Sequence, residues 1–125
     1  MNFGLKQGDA GTPIMAVLYN PDGSAVDLTN ATVRFKMAKS NDITVYSNNK
    51  IVYSGNQIEW DVKVNAKADI FSAEEGIVQY IFTGDDVQES GDFFGEFEVT
   101  YPNGRIETFP NGKSHIRICI YPDIR

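Results

Sequence analysis

Apolar and polar residues alternate along most of this chain, which is the pattern of β-strands that are buried on one face. The alternation is clearest over residues 33–37, 57–64, 93–99 and 116–120. In the second stretch it places Trp60 among the inward-facing residues, so we expect a buried indole. No amphipathic helix of roughly 10–15 residues separates the stretches, and the pattern therefore predicts an all-β antiparallel sandwich or barrel.

Two stretches depart from simple alternation. Residues 14–19 are apolar throughout, which is typical of a strand that is covered on both faces or interrupted by a bend. Residues 65–72 could form a single helical turn, although this length is too short for a stable isolated helix. Neither stretch changes the all-β prediction.

Three turns share one chemistry, in which proline is followed by Asp or Asn and then by glycine. They cover residues 21–23, 102–104 and 110–112. Proline fixes φ near about −65°, and glycine accepts the left-handed conformation that bulged hairpin loops require. The turns therefore predict short hairpin connections between neighbouring strands.

Length and composition are those of a single globular domain spanning residues 1–125. Hydrophobic residues make up 42% of the chain, which is ample for a core. Lys and Arg total 11 against 17 Asp and Glu, giving a net charge of −6. This balance argues against nucleic acid or an anionic membrane as a partner. The first residues lack the regions of a signal peptide, and no apolar run approaches the ~20 residues of a membrane span.

Residue types that carry out catalysis or hold metals are sparse. The single cysteine, Cys119, allows no internal disulfide, and the single histidine, His115, lies four residues earlier. In an extended strand these positions are ~13 Å apart, too far for a catalytic pair. Residues 8–13 superficially suggest a phosphate loop, but no Gly-Lys-Ser/Thr ending follows, so we interpret them as a turn between strands. We expect no catalytic residue, no cofactor and, outside one acidic cluster, no metal site.

One acidic cluster contains Asp85, Asp86, Glu89 and Asp92. Calcium prefers flexible loops that are rich in oxygen ligands, so a calcium site is one interpretation. The spacing does not match an EF-hand loop, and a solvated connector in an acidic protein is the other interpretation. The sequence leaves both open.

An ordered set of short motifs runs through nearly the whole chain, from about residue 4 to residue 122. Its most specific parts are an early Gly-Asp-x-Gly-Thr-Pro and a late Thr-Phe-Pro. The matching residues are Lys6, Gln7, Gly8, Asp9, Gly11, Thr12, Pro13, Asp22, Gly23, Val26, Asp27, Leu28, Ala31, Val33, Phe35, Met37, Gly76, Tyr80, Gly91, Phe93, Phe97, Val99, Gly104, Thr108, Phe109 and Pro110. On these residues the chain resembles the N-terminal domain of the baseplate upper protein of tailed phages that infect Gram-positive bacteria.

The resemblance implies an immunoglobulin-like antiparallel β-sandwich that is used as a virion building block. It further implies an attachment module in the ring at the tail tip, with no catalytic activity. The expected partners are other virion structural proteins, of the tail tip or the head, and further copies of the chain in a symmetric homo-oligomer. The expected location is the virion, after synthesis in the cytoplasm of the bacterial host.

Assembly needs exposed strand edges or apolar patches, because no active site is involved. The preferred candidates for partner contact lie in two short predicted strands: Ile43, Val45, Tyr46, Ile51 and Tyr53. The apolar run over residues 14–19 is the second candidate surface. A carbohydrate-binding sandwich, which would need two exposed aromatic rings in one plane, and a head-decoration protein remain the alternatives.

Overall fold

The computed structural model describes the backbone of residues 2–47, 50–111 and 115–124, and the side chains of these residues except 2 and 40–59. Eight strands and one short 3₁₀ helix form within these ranges. They are β1 (Asn2–Lys6), β2 (Pro13–Val17), β3 (Thr32–Ser47), β4 (Lys50–Ser72), β5 (Ile77–Ile81), the 3₁₀ helix (Asp85–Val87), β6 (Gly91–Thr100), β7 (Ile106–Phe109) and β8 (Ile116–Tyr121). The all-β prediction is confirmed.

The strands form a nearly closed, barrel-like sandwich in the order β1-β8-β6-β3-β4-β5-β2, with β7 also paired to β6. Strand β4 belongs to both layers, because its residues up to Ala68 pair with β3 and its end, from Asp69 to Ser72, pairs with β5. We call the layer of β1, β8, β7, β6, β3 and most of β4 the large layer. The small layer consists of the end of β4, β5 and β2.

One pairing departs from the antiparallel prediction. Strand β1 runs parallel to β8, with Phe3 opposite Ile118, whereas the other named strand pairs are antiparallel. The first strand and the last strand of the chain are far apart in sequence. Hairpin connections therefore place no constraint on their relative direction, and a sequence pattern of hairpins could not reveal it.

The core lies between the two layers and is rich in aromatic rings. Phe35 is fully buried at its centre, with ring centroids 4.8 Å from Tyr80, 5.5 Å from Phe82 and 5.1 Å from Phe97. In three of the four alternating stretches the predicted inward positions are confirmed, since the following side chains are all buried: Val33, Phe35, Met37, Phe93, Phe97, Val99, Ile116, Ile118 and Ile120. Burial of large apolar side chains is the main source of stability in such a fold.

A β-bulge in β4 makes the prediction for Trp60 wrong. Met37 lies opposite Val64, but the next residue, Ala38, lies opposite Val62, so β4 contains one extra residue at this point. Because side chains alternate between faces, one extra residue reverses which face the following positions occupy. Val64 is buried, whereas Val62 is 55% exposed and Trp60 is 40% exposed on the outer surface of the large layer.

Two further expectations differ from the structure. Residues 65–72 are part of β4 rather than a helical turn, because β3 and then β5 supply the hydrogen-bonding partners of an extended strand. The run over residues 14–19 is covered on one face only: Ile14 and Leu18 are buried, while Met15 is 44% and Val17 is 42% exposed.

The predicted turn chemistry is confirmed at two of its three sites. Gly23 and Gly104 have φ values of +88° and +86°, and each donates its N–H to the residue three positions earlier at 2.9 Å. The third turn, residues 110–112, lies partly outside the described residues. These turns set the short connections of the sandwich.

Candidate functional site

The preferred contact candidates lie on a two-stranded extension of the large layer. Strand β3 pairs with β6 only as far as Ala38, but its pairing with β4 continues to Ser47. Residues 39–47 and 50–61 therefore have one hydrogen-bonded neighbour strand each among the described strands. We call this segment the β3–β4 ribbon.

All five of those candidates fall on the β3–β4 ribbon, and their side chains lie outside the described residues. These candidates are Ile43, Val45, Tyr46, Ile51 and Tyr53. The sequence suggested two short strands here, and the structure extends both into the body of the sheet. Their role in partner contact stays a prediction.

The second candidate surface, residues 14–19, lies on the outer face of the small layer. Met15 and Val17 of β2 are joined there by Ile81 of β5, which is 47% exposed, and Phe71 of β4, which is 67% exposed. Strands β2 and β5 pair directly, with Pro13 opposite Ile81 and Met15 opposite Gln79, so these side chains share one face. We call it the small-layer face. It concentrates large exposed apolar side chains, which is typical of protein contact surfaces.

A groove lies beside the small-layer face, where the two layers do not meet. It has a volume of about 240 Å³ and runs between β2 and the end of β7. Its lining includes Val17, Tyr19, Phe97, Phe109 and Ile116. We call it the seam groove. The buried rings of Phe97 and Phe109 supply apolar surface within it.

An aromatic cluster that sequence reasoning missed lies on the outer surface of the large layer. The ring centroids of Trp60, Phe94 and His115 are 5.4–5.8 Å apart. The rings of Trp60 and Phe94 meet at 82°, so they form no flat platform. Together with Lys36 and Glu96 they line a depression of about 240 Å³. The sequence pattern did not predict this cluster, because strict alternation placed Trp60 on the buried face of the strand.

The predicted acidic cluster is dispersed by the fold. Asp86 accepts hydrogen bonds from the Tyr80 hydroxyl at 2.6 Å and from the Thr83 N–H at 2.9 Å. Burial, followed by this hydrogen bond, raises the pKa of Tyr80 well above its ordinary value. Asp86 therefore ties the segment after β5 to the strand itself.

Glu89 faces the large layer instead. It contacts Lys39 and Lys63, each at 3.1 Å, and hydrogen bonds from these ammonium groups lower the pKa of Glu89. Within the described residues, no group of three or more His, Cys, Asp or Glu side chains is placed to hold a metal ion. No helix in the described part of the chain is long and apolar enough to cross a membrane.

Cys119 lies on β8 as the sequence suggested, whereas His115 directly precedes the strand, and both lie away from its buried face. His115 packs against the aromatic cluster, and Cys119 is half-buried. A hydrogen bond with the Asp92 carboxylate, together with burial, raises the pKa of the Cys119 thiol. A raised pKa lowers the thiolate fraction, so this cysteine is a poor nucleophile at neutral pH.

Comparison with protein families decides the identity of the domain. The family model described as BppU N-terminal domain matches residues 1–109. The chain belongs to this family. The BppU N-terminal domain is the N-terminal domain of the phage baseplate upper protein, so the resemblance read from the sequence motifs is confirmed. A search of curated proteins found no match.

The match covers β1 to β7 and ends at Phe109, the last residue of β7. Strand β8 follows the matched region, and it completes the large layer by pairing with both β1 and β6. The BppU N-terminal domain family is one of phage baseplate structural proteins, which implies contact with other virion components and a location in the virion.

Proposed function

We propose that this chain is an attachment and assembly module of a phage tail baseplate and that it has no catalytic activity. The family match over residues 1–109 carries the proposal. Two surface features support it: the apolar small-layer face and the β3–β4 ribbon. Both are suited to packing against neighbouring subunits.

In this proposal the chain is made in the cytoplasm of the bacterial host and is built into the virion, where it contacts other structural proteins and further copies of itself in a symmetric ring. We also propose that the sandwich is immunoglobulin-like and that residues 1–125 form one domain. One cluster of buried side chains, running from Leu5 to Ile120, supports a single domain.

The β3–β4 ribbon has a specific role in this proposal. A two-stranded ribbon in water is marginally stable by itself, and it needs a third strand or a packed face for independent stability. The ribbon has two edges with no neighbouring strand among the described residues. We infer that Ile43, Val45, Tyr46, Ile51 and Tyr53 pack on an adjacent baseplate subunit.

Co-expression with the other structural proteins of the tail tip tests the proposal. We expect the wild-type chain to co-purify with at least one of them as a complex of defined mass in light scattering. A variant in which an Asn-Gly turn replaces residues 42–58 keeps the body of the sandwich but removes most of the ribbon. It should keep its thermal unfolding transition and lose most of the complex. Failure of the wild-type chain to join any complex would contradict the proposal.

Carbohydrate binding remains a second candidate because Trp60 is 40% exposed beside Lys36 and Glu96. A single exposed indole can stack on one sugar ring. The perpendicular rings of Trp60 and Phe94 do not supply the flat platform that a longer glycan would use. Calorimetric titration with host wall polysaccharide tests this function: heat that disappears in Trp60→Ala supports it. Between tail and head, the baseplate family favours the tail, so head decoration is the weaker alternative.

A further inference from the structure

One side of the edge strand β2 has no neighbouring strand among the described residues. Leu18 donates its N–H to Gly76 at 2.8 Å, and Thr12 accepts from the Phe82 N–H at 2.9 Å, so the even-numbered residues face β5. In an antiparallel ladder, successive residues point their N–H and C=O groups to opposite sides. Met15 and Val17 therefore direct theirs away from β5, and no other described strand pairs with that side.

Within the part of the chain that the structure describes, this edge carries little of the usual protection against strand addition. Exposed edges normally carry lysine, an inward-pointing charge or a bulge, or are covered by a loop. The only such feature within β2 is Pro13, at its first residue, and the exposed side chains that follow are Met15 and Val17. A strand of this kind is a template for an added strand.

The seam groove lies directly beside this edge. A strand added to β2 would pass over it and direct alternate side chains toward Phe97, Phe109 and Ile116. The groove volume of about 240 Å³ is below the roughly 300–1,000 Å³ of small-molecule sites. The groove is therefore small for a drug-sized ligand, and its apolar lining suits individual apolar side chains.

Among the described residues, the charges on the small layer have a single sign. Residues 7–33 and 68–104 contain no Lys or Arg, and these stretches include β2, β5 and the part of β4 in the small layer. Their exposed acids near this layer are Asp22, Asp27, Asp69, Glu74 and Glu75. The described cations instead lie on β1, β3, the first part of β4, β8 and the turn before β7. Charge complementarity therefore favours a basic occupant.

We propose that the open edge of β2 and the seam groove accept an extended, apolar segment from another baseplate protein, with lysine or arginine flanking that segment. The segment pairs with the N–H and C=O groups of Met15 and Val17 and buries alternate side chains in the groove. This inference rests on the proposed assembly function and names its contact. A second copy that pairs through its own β2 fits less well, because the two small layers carry the same negative charge and would repel each other.

A peptide titration tests the edge directly. The probe is the octapeptide Lys-Thr-Val-Thr-Val-Thr-Val-Lys, added to the ¹⁵N-labelled chain while amide chemical shifts are recorded. The largest shifts are expected at Met15 and Val17. Replacing the terminal lysines of the peptide with glutamates should weaken binding about tenfold. Replacing its two central residues, one threonine and one valine, with proline should abolish binding, because one of two adjacent residues points its N–H at β2 in either strand direction. Unchanged shifts at these two amides, or equal binding of the lysine and glutamate peptides, would overturn the proposal.

Three variants at position 17, two disruptive and one control, test the edge within the assembly. Val17→Pro removes one outward N–H without removing a hydrogen bond to β5, and Val17→Thr is its matched control with the N–H intact. Val17→Lys places a charge on the exposed edge, which disfavours strand addition. It provides a second test if the proline variant does not fold. In the co-expression assay, Val17→Pro and Val17→Lys should each reduce the complex at least about tenfold, and Val17→Thr should retain it.

The outcomes separate this inference from the proposed function. If wild type forms the complex and Val17→Lys forms it equally well, the edge is not the contact, while the assembly function stands. If wild type forms no complex, the assembly function fails regardless of the edge. If the isolated chain dimerises with Met15 and Val17 amides protected from exchange, the occupant is a second copy and the heterologous proposal is wrong.

Discussion

Replacing Gly76 tests how the segment after β2 is held against the small layer. Gly76 has φ +65°, and a Cβ atom there would lie 2.8 Å from the Leu18 carbonyl oxygen and 2.9 Å from that of Val26. Real Cβ atoms do not approach backbone oxygens so closely, so Gly76→Ala forces the chain near Leu18 to move. That movement threatens the hydrogen bond from the Leu18 N–H to the Gly76 carbonyl at 2.8 Å.

The cost of Gly76→Ala can be built from its parts. A left-handed conformation costs an L-residue about 1–2 kcal/mol, while alanine gains about 0.4–1 kcal/mol by restricting the unfolded chain. Loss of the hydrogen bond adds about 1 kcal/mol. Displacement of the buried side chains of Leu18 and Val26 adds at least a further ~1 kcal/mol. We expect a loss of about 3 kcal/mol in the free energy of unfolding.

Gly23→Ala is the matched control for this prediction. Gly23 also has a positive φ, +88°, but no atom lies within 4 Å of its added Cβ. Only the conformational cost applies, so we expect a loss of about 1 kcal/mol. Urea denaturation followed by tryptophan fluorescence measures both variants. Equal losses in the two variants would refute the argument that Gly76 is required by the close approach of two backbone segments.

Three further predictions concern side chains. Phe35→Ala should lower the free energy of unfolding by about 3–5 kcal/mol because it opens a cavity among buried rings, whereas Trp60→Ala should lower it by less than about 1.5 kcal/mol because the indole is partly exposed. Urea denaturation followed by circular dichroism compares the two variants, and equal losses would contradict the bulge. Tyr80→Phe should cost about 1 kcal/mol by removing the hydrogen bond to Asp86, and an unchanged urea midpoint would contradict it. The pKa of Glu89 is lowered from an ordinary value near 4.5, so its ion pairs stabilise the fold above that pH and are lost as pH falls through the lowered value. Glu89→Gln should therefore be less stable than wild type at pH 7 and equally stable at low pH. Thermal unfolding of both proteins between pH 7 and low pH measures this, and a stability difference that grows on acidification would contradict the prediction.

The buried faces of the strands could be predicted from sequence because alternation has a period of two wherever one side is covered. Phe35, Phe97 and Ile118 were placed inward for that reason, and each has 0% exposure. Turns were equally predictable, since Gly23 and Gly104 occupy the left-handed conformation that their sequences imply.

Trp60 shows where such reasoning stops. The bulge opposite Met37 and Ala38 depends on how β3 and β4 align, and a single strand's sequence does not contain that alignment. The aromatic cluster on the large layer was missed for the same reason. The open edge of β2 also could not be inferred, because it depends on which strand ends the small layer.

The family resemblance was readable because it depends on ordered short motifs, not on pairing. The site residues were less predictable. Ile43 and Tyr53 fall on the β3–β4 ribbon. The run over residues 14–19 was a candidate surface from its sequence, but which of its side chains are exposed depends on the small layer being open on its outer side. Contact surfaces are properties of the assembled fold, and local sequence reveals only that a strand has two faces.

Cryo-electron microscopy of the intact phage tail tests the assembly account most directly. The account predicts density for this sandwich in the tail-tip ring, with the β3–β4 ribbon packed on a neighbouring subunit. A particle that lacks the domain at the tail tip, or a domain there whose ribbon projects into solvent, would contradict it.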